Sequence, residues 1–265
     1  MWDPRQYALY SDHRGRPFAD LLGRVDAAHP ALVVDLGCGD GPLTLGLANR
    51  WPGARVVGVD SSPQMLARAR ELDTEGRVEW LEARVEDWDP ATLGGPIDVL
   101  TTNATLQWVP GHLDLIARWV AALAPGGWYA MQVPANFAAS SHVLMREVAA
   151  RQPRAADLAP GLRRADAVEP VAAYLRLLTG LGLVTDAWET TYQQVLDPAG
   201  TQRSPVLEWV RATGLRPVLD VLTGEAERQA FLDDYVTELD RAYPREPFGV
   251  VFPFSRIFAV GRKAA

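Results

Sequence analysis

The stretch VVDLGCGDGPLT at 33–44 constrains this chain more than any other. A β-branched run meets glycines at 37, 39 and 41 and then a helical pattern, so the backbone turns tightly and approaches a ligand with no Cβ in the way. A helix opening there offers free N–H groups, and Pro42 suits its first turn because the missing N–H costs nothing. The dinucleotide fingerprint is G-x-G-x-x-G. Here the third glycine comes one residue early and Pro42 stands where that fingerprint has glycine, which disfavours NAD. Asp60 ends the second predicted strand, 19 residues after Gly41, where a carboxylate can accept from the two hydroxyls of a ribose. Ser61 or Ser62 before Pro63 supplies the next helix cap, which leaves Asp60 for a ligand.

Strand-like runs alternate with helical patterns from 31 to 134, the signature of βαβ units on a parallel sheet. The runs are 31–37, 55–60, 78–83, 97–103 and 128–134. Between the last two, HLDLIARWVAAL at 112–123 places Leu113, Ile116, Val120 and Leu123 on one stripe, and APGG at 124–127 predicts its stop. Beyond 134 the alternation degrades into predicted helices at 140–151, 168–179, 204–213 and 225–242, with a loop-like QPRAADLAPGLRR after the first and TGLRP separating the last two. A strand is expected at 184–196 and a closing one at 250–263, where Pro253 favours an edge or a bulge. The expectation is one α/β domain whose C-terminal half sets helices over the carboxyl edge of the sheet.

Composition narrows the partners. With 48% apolar residues over 265 the chain buries a substantial core, and a net charge of −7 argues against nucleic acid or an anionic membrane as the main partner. Of 26 basic residues only Lys263 is a lysine; GC-rich codon usage explains most of that skew, although arginine's fork also suits carboxylates. One cysteine excludes a disulfide framework, and four scattered histidines disfavour a metal site. No stretch reads as a signal peptide or a membrane span, so the expected location is cytoplasmic, with a monomer as the default.

The spacing D-x-G-x-G-x-G with an acid after the second strand resembles the class I S-adenosylmethionine-dependent methyltransferases. That resemblance implies a doubly wound, Rossmann-like seven-stranded sheet, mostly parallel with an antiparallel last strand, plus helical cap insertions. It implies S-adenosyl-L-methionine as cofactor and S-adenosyl-L-homocysteine as product. Asp35 would orient the loop, the backbone around Gly37, Cys38 and Gly39 would hold the methionine end, and Asp60 with Ser61 and Met65 would take the ribose side. Where relatives have an acid for the adenine amino group this chain has Arg84, which cannot accept that bond, so the backbone at Val85, or Glu86 or Asp87, is the substitute. Trp88 is either core or a stacking face. Asn103 and Leu106, at and after the fourth strand, complete the cofactor set.

Further segments are similar to one branch of that superfamily, the trans-aconitate 2-methyltransferase family: WDPRQY with RGRPF, then VDSSPQML, NATLQWVPGH, SHVLMREVA, WETTYQQVL, WVRATGLRP and FPFSRIFAV. Asp40 and Arg84 depart from its pattern. The resemblance implies methyl esterification of a carboxylate of a small polycarboxylic acid. Such a carboxylate is ionised at neutral pH and needs no general base, so no catalytic residue and no metal is assigned. The polyanion calls for cationic partners, with Arg146, Arg216 and Arg256 as candidates and His142, Tyr192, Trp209 and Trp108 lining the pocket. Arg256 stands foremost, because an arginine among apolar strand residues needs an anionic partner. On this reading 1–265 form a single methyltransferase domain: N-terminal lid helices at 1–30, a cofactor-binding core at 31–134, a mixed sheet and substrate-cap region at 135–249 and a closing strand at 250–265. Tyr7, Tyr10 and Arg16 are the lid's candidate contacts, a plain packing helix being the alternative. His13 and His29 are expected at the surface, His112 as capping or flanking its helix, and Cys38 as a small filler. Three other functions stay open: methylation of another small molecule at oxygen, nitrogen or carbon, with His142 as the nearest base; nucleotide-dependent oxidoreduction; and ligand binding without catalysis.

Overall fold

The computed structural model describes residues 11–162, 167–211 and 214–265, with the backbone alone at 11–14. The described residues divide into two compact units, one made of those within Gly15–Pro134, Val168–Thr190 and Arg256–Ala265, the other of those within Met1–Arg14, Ala135–Ala167 and Thr191–Ser255.

The first unit is built on a sheet. Strands β1 (Leu32–Leu36), β2 (Arg55–Asp60), β3 (Val78–Glu82), β4 (Ile97–Asn103), β5 (Leu123–Pro134), β6 (Leu183–Leu196) and β8 (Gly249–Lys263) run in the order β3-β2-β1-β4-β5-β8-β6, and the two-residue β7 (Arg245–Glu246) pairs with β8; β7, β6 from Thr191 and β8 up to Ser255 fall in the second unit. β1 to β5 pair in parallel, and β8 pairs antiparallel to β5. All five residues of β1 are buried, as a parallel strand covered on both faces requires. The helices of this unit are α1 (Ser11–Leu22), α2 (Pro42–Arg50), α3 (Pro63–Leu72), α4 (His112–Ala121) and α7 (Val171–Gly180).

Two local features differ from expectation. APGG does not merely stop a helix: β5 already begins at Leu123, and the register jumps from Ile97↔Leu123 to Val99↔Trp128, so the segment is an irregularity inside the strand. The buried face of α4 is His112, Ile116, Trp119 and Val120. His112 does not cap the helix by its side chain; its ring is buried, with Nδ1 on Val109 O at 3.0 Å and Nε2 on Tyr174 Oη at 2.8 Å. Burial lowers its pKa, which leaves a neutral ring suited to these two bonds. Pro253 lies before the stretch of β8 that pairs with β5, Arg256–Arg262, so its missing N–H breaks no bond of that ladder.

The second unit is mainly helical: α5 (Ser140–Arg151), α6 (Ala155–Leu158), α8 (Pro205–Arg211), α9 (Arg216–Val221) and α10 (Glu225–Ala242). TGLRP is therefore not only a separator, because α9 opens at Arg216 with Pro217 in its first turn. Phe231, Tyr235, Val236 and Leu239 turn one face of α10 into a core that contains Val148, Trp209, Leu215 and Phe252. Buried Tyr235 donates its hydroxyl to Ser141 O at 2.7 Å, which satisfies the one polar atom on that face. Phe231→Ala is expected to cost about 3–5 kcal/mol in urea unfolding, the usual range for emptying a buried aromatic site. A loss below about 1 kcal/mol would show that α10 is not packed as described.

Candidate functional site

The glycine loop spends its own donors. Gly37 N and Cys38 N both donate to Val59 O, at 2.7 and 3.0 Å, Gly39 N donates to Asp60 Oδ2 at 2.9 Å, and Gly41 N donates to Cys38 O at 3.2 Å. A phosphate cradle needs those N–H groups free, so these four do not make one. Gly37 has φ +77, and a Cβ there would collide with the Thr105 side chain. Gly39 has φ +58 and open space where a Cβ would stand, so at this point a ligand can lie against bare backbone.

Asp60 closes the loop onto β2 and does more than wait for a ligand. Its Oδ2 holds Gly39 N, while its Oδ1 accepts from Ser62 N at 2.9 Å. Each oxygen keeps further acceptor capacity. Ser62, not Ser61, is the cap of α3, accepting from Met65 N at 3.3 Å; Ser61 is exposed and Met65 half-buried.

Asp35 is 3% exposed and braces three elements from within β1, accepting from Thr44 Oγ1 of α2 at 2.6 Å and from Thr101 Oγ1 of β4 at 3.2 Å. Burial pushes its carboxyl from 3.8 up to about 6, against the two hydroxyl bonds that pull it down. Burial likewise drives the Cys38 thiol far above its ordinary value, and its sulfur lies close to Gly58, so this cysteine fills space and is no nucleophile.

On the adenine side of the predicted site, Arg84 points to solvent and pairs with Glu86 at 3.0 Å and Asp87 at 3.5 Å. Those carboxylates are thereby engaged by Arg84, while Val85 is buried. Trp88 is also buried, which favours core over an open stacking face. At the carboxyl end of β4, Asn103 Oδ1 is buried without a hydrogen-bond partner among the described residues, Leu106 is fully buried and Trp108 is 48% exposed. Between them Ala104 adopts φ +53, a left-handed conformation that costs an L-residue roughly 1–2 kcal/mol, and its N–H is held by Gln132 O at 2.9 Å. Such strain gathers at ligand sites.

The substrate candidates separate. Arg256 is 5% exposed and stands opposite Pro134 across the β5–β8 ladder, at the carboxyl edge of the parallel strands. Its Nη1 donates to Oε1 of Gln132 at 3.1 Å. Gln132 was not singled out by sequence, since a glutamine inside a strand carries no motif. Arg16 is exposed beside Asp20, 3.9 Å away on α1. In the helical unit, α5 gathers His142 and Arg146: the His142 ring meets Phe137 edge-on at 5.4 Å, and Arg146 Nη1 donates to Phe137 O at 2.9 Å. Arg216 lies 3.8 Å from Asp220 one turn on. Tyr192 is buried, and Trp209 packs on Phe252 and Phe254 at 5.6 and 5.5 Å, so core packing accounts for Trp209. Tyr7 and Tyr10 lie outside the described residues, as does the side chain of His13. Among the described residues no group of three or more His, Cys, Asp or Glu is placed to hold a metal ion.

A sheet in this order, with a glycine loop after β1 and an acid ending β2, defines a class I methyltransferase. A methyltransferase-domain family model matches residues 33–127. The chain is similar to a trans-aconitate 2-methyltransferase of Streptomyces avermitilis, 49% identical over 100% of this chain and 97% of that one. It is 47% identical to one of Rhodococcus jostii over 99% of each chain. Among solved structures it shares its fold, at a TM-score of 0.52 and 17% identity over 98% of this chain and 83% of that one, with geranyl diphosphate C-methyltransferase from Streptomyces coelicolor in complex with geranyl diphosphate and S-adenosyl-L-homocysteine. The chain belongs to the trans-aconitate 2-methyltransferase family.

Asp35 yields a pH signature. Because its folded pKa lies above its unfolded one, its contribution to stability is present below about 3.8 and is lost as pH rises through about 6. Asp35→Asn removes that loss. The stability of the variant minus that of the wild type should therefore rise by about 1–1.5 kcal/mol between pH 5 and pH 8 in urea titrations. A difference independent of pH would mean that Asp35 titrates normally.

Proposed function

We propose that this protein is an S-adenosylmethionine-dependent O-methyltransferase that esterifies one carboxylate of a small polycarboxylic acid, trans-aconitate being the substrate. The observation that carries the reading is Arg256, an arginine buried at the carboxyl edge of the same sheet whose loop presents Asp60 and Gly39. The names of the relatives support the particular acid.

The chemistry of the edge fits the cofactor. Asp60 and the unpartnered Asn103 Oδ1 are acceptors, and Gly39 leaves its Cβ space open. Ribose hydroxyls and an α-ammonium group are donors, and the cofactor brings no phosphate for the missing N–H cradle. On this assignment Asp60 takes the ribose, the Gly37–Gly39 backbone the methionine end, and Asp35 holds the loop in place by bracing Thr44 and Thr101. Arg84, committed to Glu86 and Asp87, leaves adenine to the backbone near Val85.

When bound, the cofactor supplies a sulfonium methyl whose bonding electron pair departs with sulfur. Everything else asked of the chain is positioning. The substrate carboxylate is already the nucleophile, no proton has to move, and Arg256 holds the acid by a charge-assisted contact so that one carboxylate oxygen lines up with the methyl group. The lone, buried Cys38 and the net charge of −7 support a cytoplasmic enzyme with a small-molecule partner. No described helix is long and apolar enough to cross a membrane.

Mass spectrometry after incubation with S-adenosylmethionine and trans-aconitate, cis-aconitate, isocitrate or unrelated amines should show one added methyl on trans-aconitate. Methylation confined to an amine or hydroxyl compound would overturn the reading. In calorimetry, Asp60→Ala should weaken S-adenosylmethionine binding at least tenfold, the order expected for losing hydrogen bonds to a charged acceptor, and NAD should not bind the wild type.

A further inference from the structure

We infer that Gln132, together with Arg256, forms a clamp for a carboxylate of the substrate that is not being methylated. The inference rests on the reading of the protein as a polycarboxylate methyltransferase and deepens it. Gln132 sits near the end of β5, fully buried. Its two amide atoms are in different situations: Oε1 accepts from Arg256 Nη1 at 3.1 Å, while Nε2 is buried with no hydrogen-bond partner among the described residues. A donor shut away from water without an acceptor is costly, and it stays in a fold where something supplies the acceptor.

The register shows what that acceptor can be. Asn103 pairs with Gln132 across β4 and β5, and Pro134 pairs with Arg256 across β5 and β8, so Asn103, Gln132 and Arg256 project from one face at one edge. On that face Asn103 offers an unpartnered acceptor, suited to a donor of the cofactor. Gln132 Nε2 and the Arg256 guanidinium are donors only, and Arg256 adds a positive charge. A carboxylate, which is acceptor-only and negative, matches them. Gln132 also fixes the strained turn at Ala104 through its carbonyl, so one residue ties the substrate clamp to the cofactor edge.

The role is one of positioning and specificity. By accepting from Nη1, the amide sets the plane of the guanidinium fork; by donating from Nε2, it adds the hydrogen bond that separates an acid carrying the extra carboxylate from one lacking it. The clamp leaves the reacting carboxylate alone, so kcat changes less than KM.

The test compares wild type, Gln132→Met and Gln132→Glu with trans-aconitate and with a dicarboxylate analogue one carboxylate shorter. The wild type must first methylate trans-aconitate; failure there defeats the functional reading and not the clamp alone. Given that activity, Gln132→Met is expected to raise the KM for trans-aconitate at least tenfold, to leave the calorimetric Kd for S-adenosylmethionine within about twofold, and to narrow the KM gap between the two acids. Gln132→Glu keeps an acceptor for Arg256 but sets a negative charge beside the clamp, so it should fold and show an equal or larger KM increase. Should Gln132→Met fail to fold, the Glu variant decides the matter by the same readouts. An unchanged KM, an undiminished gap between the acids, or a loss confined to cofactor affinity overturns the clamp.

Discussion

The carbonyl of Val59 receives two backbone donors, Gly37 N and Cys38 N, and on this doubled contact the candidate site is built. It folds the glycine loop back onto β2 and delivers Gly39 N to Asp60. The consequence is chemical as well as geometric. A loop whose amides are spent on its own sheet cannot serve as an anion nest, and what it leaves for a ligand is open space above Gly39 and the remaining lone pairs of a carboxylate.

Two carboxylates of one short region therefore do different work because their surroundings differ. Asp35, enclosed and bonded to two hydroxyls, has its carboxyl pushed up to about 6 by burial and acts as a brace. Asp60, at the strand end, accepts from backbone N–H groups and keeps an open side. Neither serves as a base, which suits a reaction whose nucleophile is ionised before it binds. Catalysis of that kind depends on alignment, so the residues that matter are those that hold groups still.

The direction of β8 decides where Arg256 stands. Arg256 opens the stretch of that strand that pairs with β5, and the start of such a stretch reaches the carboxyl edge of a parallel sheet only if the strand runs the opposite way. Antiparallel pairing with β5 thus puts a guanidinium beside the ends of β4 and β5, where open α/β sheets receive ligands. It also brings Arg256 onto Gln132, a residue 124 positions earlier in the chain.

Much of this was legible in the sequence because it is local. The strand–glycine–helix run, the acid ending β2 and the strand boundaries at 55–60 and 97–103 follow from periodicity and from residues whose backbone preferences are strong. Arg256 stood out because a charge among apolar strand residues is itself a signal. Less legible were features set by partners distant in sequence. Trp209 reads equally well as a pocket wall or as core until Phe252 and Phe254 are found against it. His112 looks like a helix cap until Tyr174 meets its ring. The segment 124–127 looks like a stop signal until its register against β4 shows a strand with an irregularity. By itself the sequence determined the sheet, the loop and the family resemblance, because each is written in contiguous residues with fixed conformational costs. Only the tertiary structure decided that the loop's amides are consumed and that Gln132 joins Arg256, because hydrogen bonds between residues far apart in the chain depend on register, and register exists only once the strands have paired.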